Sequence, residues 1–434
     1  MKKFFIHTFG CQMNVYDGQR IATLLQSRGM TQTDSIADAD IIILNTCAVR
    51  AKATDKVYSA LGRIREQKKP DALMGIVGCV ARESGTDAFR RVPELNFVLG
   101  PQSYHNLPEI LENPDMRLLN IDLGGLEKFD ELPQSDTSPA LAYIPIQEGC
   151  NHCCTYCIVP YTRGREISRP FNDVMHDVMH VANTGAVEIC FLGQNVNGYK
   201  YTAPDGTQYR LSDLIRATAK LDNIQRIRFT SSYPTEMTDD LIDMFRTEPK
   251  LLPFLNMPIQ SGSPDVLTKM NRPYTLDLYI DIVDKLRSAR PDIQISSDFI
   301  VGFPGETDSD FEQTMDIAQR IRYINSFSFK YSPRPHTVAA TMPNQIPEVI
   351  KSQRLYKLDE LLNNLQREFN ESCIGKTLSC MLEGPDKTGL RLVYRTPYMQ
   401  PCIVDNPDNA TPPTLANIEI TSASKAALRG KILI

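Results

Sequence analysis

The sequence has no long apolar run, no evident secretion signal and no excess of positive charge. No uninterrupted apolar stretch among its 434 residues approaches the roughly 20 residues that a membrane-spanning helix needs. The short apolar run after Lys2 and Lys3 ends at once and no small-residue cleavage site follows it. The net charge of -5 gives no general attraction to nucleic acid, so RNA binding would need a local basic patch. These absences predict a cytoplasmic protein without a membrane segment.

Cysteine, by contrast, is frequent, with eleven residues in the chain. In a cytoplasmic protein this number indicates metal binding or catalysis rather than disulfides. Cys150, Cys154 and Cys157 form the pattern C-x-x-x-C-x-x-C directly after an apolar run, 143–146, that is typical of a strand. Thiolates from one short loop can bind three irons of a 4Fe-4S cube and leave the fourth iron open. An open iron can bind S-adenosylmethionine and cleave it to a 5′-deoxyadenosyl radical, which is chemistry that the cofactor supplies.

A zinc site is the competing interpretation of the same loop. Cys150 with Cys153, and Cys154 with Cys157, each have the spacing C-x-x-C. A zinc ribbon needs a second pair or histidines at short range, and the next cysteine is the isolated Cys190. The pattern therefore favours the cluster, with Cys153 as a spare thiol that is a packing residue rather than a ligand.

Residues 1–120 repeat one pattern three times: an apolar run, a small-residue turn with a cysteine, and a helix-like segment. This alternation predicts an α/β domain with a doubly wound parallel sheet. Cys11, Cys47 and Cys79 each follow a predicted strand, where such sheets bind their ligands. Each alone is equally well explained as a buried core cysteine, but the three together predict the ligands of a second Fe-S cluster. The expected strands are 3–9, 41–44 and 73–77, and the expected helices are 17–27, 52–67 and 82–89.

Residues 121–140 are polar and contain glycine and proline, which predicts a linker. After it, strands and helices alternate again over residues 141–371. Six such units are too few for a closed eight-unit barrel, so we expect a partial barrel with its site at the carboxyl ends of the strands. The expected strands are 142–147, 188–194, 226–232, 254–260, 294–303 and 324–332; the expected helices are 171–184, 210–221, 238–246, 275–289, 307–321 and 347–371.

Four polar or glycine-containing segments follow successive strands of this predicted barrel, at 193–197, 231–234, 260–263 and 302–306. Each alone is explained by the residues that turns favour. Together, beside the cysteine loop, they predict a wall around S-adenosylmethionine and substrate. Gln260, Ser261 and Ser263 are candidates for contact with its ribose or carboxylate, and Ile300 and Gly302 are candidates for contact with its adenine.

Residues 372–434 contain five short runs of β-forming residues, which predict a small β-barrel of a kind that binds nucleic acid. Charge is almost balanced in this segment, so charge alone does not indicate RNA binding. Cys373, Cys380 and Cys402 have no metal-ligand spacing and are expected to be structural. The expected strands are 377–383, 390–394, 401–404, 417–421 and 431–434.

Seven segments carry a resemblance to a known family: 8–14, 45–50, 78–79, 150–166, 258–263, 270–275 and 331–335. They resemble the radical-SAM methylthiotransferases, over essentially the whole chain. The resemblance implies a methylthiotransferase domain, a radical-SAM core and a C-terminal TRAM domain. It also implies that Tyr156 packs on adenine and that Gly193 and Gln194 meet the methionine amino group. Gln12-Met13-Asn14 favours the branch that modifies isopentenylated adenosine in tRNA.

Two departures from the family pattern limit what is carried over. Cys153 replaces a residue that is commonly bulky and apolar, so the cluster loop is expected to pack differently. His336 and Val338 stand where a glycine and a small residue or proline are expected, so the shape of that loop is open. His336 is expected to be a surface or packing residue and not a catalytic one.

The resemblance implies the addition of a methylthio group to C2 of N6-isopentenyladenosine at position 37 of tRNA. S-adenosylmethionine would serve as methyl donor and as radical source, and two 4Fe-4S clusters are implied, one of them auxiliary. The implied partners of the monomeric chain are the tRNA anticodon loop, an external electron donor and a sulfur source. No side chain is predicted to be a catalytic residue. Arg163 and Arg165 would contact phosphate or the carboxylate of S-adenosylmethionine, or else be solvated.

Three other functions remain open. The chain could methylthiolate a threonylcarbamoyl-type adenosine, or it could methylthiolate a ribosomal protein. It could also be a non-catalytic Fe-S protein that binds RNA. Formation of 5′-deoxyadenosine by the reduced protein distinguishes this last function from the enzymes.

Overall fold

The first layer of the fold is a six-stranded sheet built from short apolar segments. The computed structural model describes residues 1–48, 51–405 and 413–433, so Val49, Arg50 and Ile434 of the predicted segments lie outside the described residues. All neighbouring strands are parallel, in the order β2-β1-β3-β4-β5-β6. The strands are β1 (Lys3–Thr8), β2 (Thr31–Gln32), β3 (Ile41–Thr46), β4 (Leu73–Gly78), β5 (Phe97–Leu99) and β6 (Leu118–Asn120).

Helices cover both faces of this sheet, which confirms the doubly wound prediction. Every residue of the central strand β3 is buried, as expected when helices pack on both sides of a parallel sheet. Ile41 and Ile43 pack with residues of the first helix, while Ile42 and Leu44 pack with residues of the second. The helices are α1 (Gln12–Ser27), α2 (Ala51–Gln67), α3 (Cys79–Ser84), α4 (Asp87–Arg91) and α5 (Leu107–Glu112).

Two of the predicted N-terminal helices have different bounds from those expected. The helix α1 begins at Gln12, immediately after the first cysteine, rather than at Asp17. The single helix expected over 82–89 is two short helices, α3 and α4. Gly85, between them, has φ 52°, a left-handed conformation that glycine adopts without the steric cost of a side chain and that ends α3.

The segment 121–140 is not a solvated spacer. It contains the short helix α6 (Glu127–Asp130). Lys128, Phe129 and Leu132 are all buried. The polar composition gave no sign of this, because the buried charge of Lys128 is compensated by residues that are distant in sequence.

Seven parallel strands of the described residues form the core, as expected for a partial barrel, and two of them lie within the single predicted segment 294–303. Pairing joins them as β13-β10-β7, β14-β15 and β16-β17, with isolated parallel bridges Ile227–Leu251 and Gln260–Phe299 between these groups. Two short pairs, β8-β9 and β11-β12, were not predicted. The strands are β7 (Leu141–Pro145), β8 (Gln147–Glu148), β9 (Ile167–Ser168), β10 (Glu188–Leu192), β11 (Lys200–Thr202), β12 (Gln208–Arg210), β13 (Arg226–Phe229), β14 (Phe254–Asn256), β15 (Gln294–Ser296), β16 (Asp298–Val301) and β17 (Phe327–Lys330).

The core helices lie on the outside of this arc and share one large apolar core with the strands. All six expected helices are present, with two additional short helices, α7 and α11, that sequence periodicity did not indicate. The helices are α7 (Val159–Arg163), α8 (Phe171–Asn183), α9 (Leu211–Ala219), α10 (Asp239–Thr247), α11 (Pro264–Lys269), α12 (Leu276–Ala289), α13 (Asp308–Ile321) and α14 (Glu348–Ser372). None of the described helices combines the length and hydrophobicity of a membrane span.

A closed five-stranded barrel ends the chain, in the order β18-β19-β20-β22-β21. Cys373, Cys380 and Cys402 lie in its apolar core, which confirms their structural role. Arg226 at the start of β13 donates hydrogen bonds to three backbone carbonyls of this barrel. The strands are β18 (Thr377–Pro385), β19 (Arg391–Arg395), β20 (Pro401–Asp405), β21 (Leu415–Ala423) and β22 (Leu428–Ile432).

Candidate active site

The cysteine loop of the core is closed at its base by backbone contacts. The antiparallel pair β8-β9 brings the two ends of the loop together. The amide of Cys150 donates to the carbonyl of Gly164 over 3.3 Å. Gly149 has φ 76°, and a Cβ atom there would lie 2.1 Å from the carbonyl oxygen of Arg165. Only glycine fits this approach, so the loop holds its three cysteines on a fixed base.

The back of the loop rests on the segment 270–272, which explains why that segment carried the family resemblance. The amide of Thr155 donates to the carbonyl of Met270 over 3.0 Å. The side-chain amide of Asn271 donates to the carbonyl of Cys153 over 3.1 Å. The guanidinium of Arg272 donates to the hydroxyl of Tyr156 over 3.1 Å. These contacts orient the loop from outside, in the way that outer-shell partners orient metal ligands.

Burial raises the pKa of the Cys150 thiol to about 12 and that of the Cys157 thiol to about 11. Among the described residues, no group of three Cys, His, Asp or Glu side chains converges on a single ion position. A 4Fe-4S cube does not require the cysteines to converge on one ion, because each cysteine binds a separate iron.

Cys153 is exposed and has φ 47°, so the expectation that it is a packing residue was wrong.

The three N-terminal cysteines follow β1, β3 and β4 at one edge of the parallel sheet. The loop of Cys11 packs on the loop of Cys47: a Cβ atom at Gly10 would lie 2.2 Å from the Cβ atom of Cys47. The pKa of Cys11 is lowered to about 6, chiefly by its hydrogen bond with Cys47, against the effect of burial. Cys79 begins α3 and is buried. These positions bring the predicted auxiliary ligands to one edge of the sheet.

Two buried asparagines fix these loops relative to each other. The side chain of Asn14 donates to the side-chain oxygen of Asn45 over 2.8 Å and to the carbonyl of Thr46 over 3.0 Å. In return, Asn45 donates to the carbonyl of Asn14 over 2.6 Å. Thr46 accepts a hydrogen bond from the amide of Val80, next to the third cysteine. The resemblance segments 8–14 and 78–79 and the described part of 45–50, residues 45–48, therefore meet around one position.

Arg163 lies on the helix that follows the core cysteine loop, and its side chain reaches the helix that follows Cys11. Its guanidinium contacts Glu148 over 3.0 Å and Asp17 over 3.5 Å, and it is only 4% exposed. Burial lowers the pKa of Arg163, but Cys79, Glu148, Asp17 and Cys11 outweigh this effect and raise it. The predicted solvation of Arg163 is therefore wrong, and its contact with phosphate or with the carboxylate of S-adenosylmethionine remains a prediction. Arg165, for which the same two environments were predicted, is exposed.

Lys128 completes a buried network with these residues. It pairs with Asp17 over 3.2 Å and with Glu148 at shorter range, and Asp17 also accepts a hydrogen bond from Tyr104. Two carboxylates and two cations thus neutralise one another at the junction of the sheet domain, the segment 121–140 and the core. Because all four side chains are less than 5% exposed, the junction is a fixed part of the fold.

Gly193 and Gln194 lie beside the cluster loop, as the resemblance implies. The side-chain oxygen of Gln194 accepts a hydrogen bond from the amide of Gly149 over 2.5 Å. A Cβ atom at Gly193 would lie 3.1 Å from the side-chain oxygen of Gln147. Gln194 thus has a partner within the protein, and its contact with the methionine amino group remains a prediction.

In the segment 260–263, Gln260 has a strained backbone, and Ser261 and Ser263 form hydrogen bonds within the protein. Gln260 has φ 73° at the bridge to β16. The hydroxyl of Ser263 donates to Asp310 over 2.5 Å and accepts from the amide of Val266, which caps α11. Ser261 shares a hydrogen bond with Thr314. Since both serines are 1% exposed, the geometry favours a structural role for them over the predicted contact with ribose or carboxylate.

Tyr156 and Ile300 pack in one apolar cluster with Val266, Phe303 and Tyr331. This juxtaposition supports the prediction that both residues face the same adenine. Gly302 has φ 71°, and a Cβ atom there would lie 2.3 Å from the side chain of Lys351. Glycine is therefore required at position 302 because the backbone there packs closely against α14.

Three buried polar atoms at this edge were missed by sequence analysis. The described residues supply no hydrogen-bond partner for the side-chain oxygen of Asn195 or for the hydroxyls of Ser232 and Tyr233. Buried polar groups normally have partners, so such atoms beside the cysteine loop fit a site that binds a polar cofactor. Their only sequence signal was membership of the segments 193–197 and 231–234.

Fold and cysteine loop together define a radical-SAM protein with an additional N-terminal domain. Residues 144–318 match the radical SAM superfamily, and residues 3–100 match the family described as "Uncharacterized protein family UPF0004". A radical S-adenosylmethionine methyltransferase, TsrM from Kitasatospora setae, has a similar fold. With tryptophan and a SAM analog bound, its structure gives a TM-score of 0.56 at 13% identity, covering 89% of this chain and 79% of that one.

Curated relatives narrow the family further. A protein named tRNA-2-methylthio-N(6)-dimethylallyladenosine synthase in Rickettsia conorii (strain ATCC VR-613 / Malish 7) is 45% identical over 443 residues, covering 100% of both chains. A protein of the same name in Rickettsia bellii (strain OSU 85-389) is 46% identical over 442 residues, covering 99% of both chains. The chain belongs to the radical-SAM methylthiotransferase family, in the branch of these tRNA-2-methylthio-N(6)-dimethylallyladenosine synthases.

Proposed function

We propose that the chain adds a methylthio group to C2 of N6-isopentenyladenosine at position 37 of tRNA. The observation that carries this function is the contact of the helix after the core cysteine loop with the helices after Cys11 and Cys79. Arg163 on that helix pairs with Asp17 of α1 over 3.5 Å, and Arg82 of α3 donates to the carbonyl of Tyr161 over 3.3 Å. Two cysteine sets that face one junction can serve one substrate. The full-length relatives named for this reaction support the substrate.

We assign Cys150, Cys154 and Cys157 to the radical cluster and Cys11, Cys47 and Cys79 to the auxiliary cluster. When bound, the two clusters and S-adenosylmethionine supply an electron, a methyl group, a hydrogen-abstracting radical and a site for sulfur. The chain itself positions and shields these groups. Tyr156, held by Arg272, offers a ring to adenine, and the unpartnered atoms of Asn195, Ser232 and Tyr233 are available to polar groups of the cofactor.

The substrate adenosine has to leave its stack to reach this edge of the fold, as in other enzymes that act on bases. We further propose a cytoplasmic monomer that takes electrons from an external donor and sulfur from a separate source. The proposed divisions are a methylthiotransferase domain over 1–120, a junction over 121–140, a radical-SAM core over 141–371 and an RNA-binding barrel over 372–434.

Mass spectrometry of tRNA nucleosides from cells that lack the gene tests the substrate. We expect 2-methylthio-N6-isopentenyladenosine to disappear and its unthiolated precursor to accumulate, with recovery when the gene is restored. Unchanged nucleosides would refute the assigned substrate. Absence of 5′-deoxyadenosine from the reduced, iron-loaded protein would instead favour an Fe-S protein that binds RNA without catalysis.

A further inference from the structure

Two aromatic side chains form an exposed pair beside the core cysteine loop. The ring centroids of Tyr161 and His336 are 5.6 Å apart with an interplanar angle of 32°. Tyr161 is 46% exposed, and His336 is also exposed. Because both rings are exposed, their contact does not contribute to a folded core.

His336 adopts a backbone conformation that side chains rarely take. Its φ of 65° lies in the left-handed region, which glycine enters more easily than histidine. Strained positions of this kind persist only where the surroundings hold them, and they are concentrated at functional sites. The ring on this strained backbone is exposed to solvent, so packing in a core does not explain the strain at His336.

Contacts on both sides hold the loop that carries His336. The hydroxyl of Thr337 donates to the carbonyl of Arg334 over 2.8 Å. The amide of Ala339 donates to the carbonyl of Thr155, within the cysteine loop, over 2.9 Å. Arg334 itself is buried at 7% exposure. The ring of His336 is therefore presented from a rigid support.

The pair lies over the seam between the N-terminal domain and the core. Arg82, one helical turn after Cys79, donates to the carbonyl of Tyr161 over 3.3 Å. Burial lowers the pKa of Arg334, while Glu83 and Cys47 lie close enough to oppose this change. The segment of Tyr161 thus contacts the helix that begins at Cys79, and the loop of His336 contacts the core cysteine loop.

We propose that Tyr161 and His336 form a stacking platform for an unpaired nucleobase of the tRNA anticodon loop that flanks the modified adenosine. This inference rests on the proposed function, since it takes an anticodon loop as the substrate. Unstacked bases of RNA loops stack on aromatic side chains, and the exposed rings beside the two cysteine sets provide such a surface. The platform would hold the loop open while the adenosine enters the site.

Two substitutions remove the platform by different routes. His336→Gly removes the ring and suits the left-handed backbone, so this variant is expected to fold at least as well as the wild type. Tyr161→Leu removes the second ring but keeps an apolar side chain. Tyr161→Phe keeps the ring and serves as the conservative control. Phe327→Leu changes a 52% exposed ring at the amino end of β17, away from the edge that carries the cysteines, and serves as the distant control.

The probe is an anticodon stem-loop RNA that contains N6-isopentenyladenosine, with fluorescent 2-aminopurine placed at each flanking position in turn. With iron-loaded wild-type protein we expect quenching at one flanking position, because stacking quenches this base. His336→Gly and Tyr161→Leu should abolish the quenching and raise the KM for RNA about 10-fold, with a smaller change in kcat. Tyr161→Phe and Phe327→Leu should retain both.

The outcomes separate this inference from the proposed function. If wild-type protein neither binds nor methylthiolates the RNA, the substrate assignment fails and the platform fails with it. If the wild type methylthiolates the RNA but His336→Gly and Tyr161→Leu leave quenching and KM unchanged, the function stands and the platform is refuted. Equal loss in Phe327→Leu would attribute the effect to general changes in the surface and would also refute the platform.

Discussion

At the scale of single residues, the two cysteine sets are assigned to different tasks. Replacing Cys150, Cys154 or Cys157 by alanine should abolish both 5′-deoxyadenosine formation and the methylthio product. Replacing Cys11, Cys47 and Cys79 together by alanine should remove about half of the iron and stop methylthiolation, while cleavage of S-adenosylmethionine continues. Iron and sulfide content, 5′-deoxyadenosine yield and methylthio product measure these effects.

Cys153→Ala is the matched control for this series. Its thiol is exposed, and Cys153 occupies a non-ligand position of the C-x-x-x-C-x-x-C pattern. This variant should therefore keep its iron and both activities. If the N-terminal triple variant kept its full iron content, those three cysteines would not be cluster ligands but ordinary core residues. The two-cluster mechanism would then be wrong.

Residues whose role depends on local spacing could be found from the sequence, and those whose role depends on distant partners could not. The spacing of the cysteines, and the position of Tyr156 among them, indicated the cluster loop directly. The surroundings of Arg163 were mispredicted because its partner Asp17 lies 146 residues away in the chain. For the same reason, nothing in the sequence indicated that the charge of Lys128 is buried.

At the scale of secondary-structure elements, Ser263 tests whether the turn before α11 is a cap or a cofactor contact. Its hydroxyl accepts a hydrogen bond from Val266 and donates to Asp310. Ser263→Ala should destabilise the core by about 1 kcal/mol, the usual cost of a lost N-cap, and leave the KM for S-adenosylmethionine unchanged. Chemical denaturation and steady-state kinetics measure the two quantities. A raised KM with unchanged stability would restore the cofactor contact first predicted for this residue.

Asp310, in the capping box of α13, gives this region a pH dependence. Burial raises the pKa of Asp310, but hydrogen bonds from Ser263 and Thr307 outweigh burial and lower it below its ordinary value of 3.8. A carboxyl group with a lowered pKa stabilises the folded state fully above its unfolded pKa and loses this effect as pH falls through the folded pKa. The difference in unfolding free energy between wild type and Asp310→Ala should therefore be constant near neutrality and shrink below about pH 4. A difference independent of pH would exclude this cause.

Alternation of apolar and polar segments was sufficient to locate the long strands and helices. It could not reveal α11, a helix of six residues, because so short an element shows little periodicity. Nor could it reveal that the helix expected at 82–89 is interrupted, since Gly85 is compatible with either a helix interior or a helix end.

At the scale of the whole molecule, the buried charges at the junction should hold the N-terminal domain on the core. Lys128→Met removes one of two cations and leaves Asp17 and Glu148 to share Arg163. Breaking a buried pair in this way costs about 3–5 kcal/mol. We expect the N-terminal domain to unfold at lower denaturant concentration. The segment 121–140, which contains the buried Phe129, should become sensitive to chymotrypsin. The exposed Lys220→Met is the control, and equal resistance of both variants would show that the junction does not depend on the network.

Arg226 is one of the side chains that hold the C-terminal barrel on the core, together with Asn325, which donates to the carbonyl of Tyr398 over 2.7 Å. The orientation of the barrel toward RNA should therefore depend in part on Arg226. Arg226 donates to the carbonyls of Ser379 over 3.1 Å and of Thr396 over 3.2 Å, and it pairs with Glu188 over 2.7 Å. In Arg226→Met the barrel loses these bonds, while Glu188 keeps its contact with Arg228. Amide hydrogen exchange in β18 and β19 should accelerate, because the side of the barrel that faces the core opens more easily.

The same release should weaken RNA binding without affecting the cysteine sites. We expect Arg226→Met to raise the KM for tRNA while 5′-deoxyadenosine formation in the absence of RNA stays at the wild-type rate. Glu383→Gln, which breaks the partly exposed pair with Arg395 on the same barrel, is the control and should change little, because such surface pairs contribute about 0–1 kcal/mol. Faster exchange with an unchanged KM would mean that the barrel binds RNA independently of its docking. An unchanged exchange rate would mean that contacts other than Arg226 hold the barrel in place.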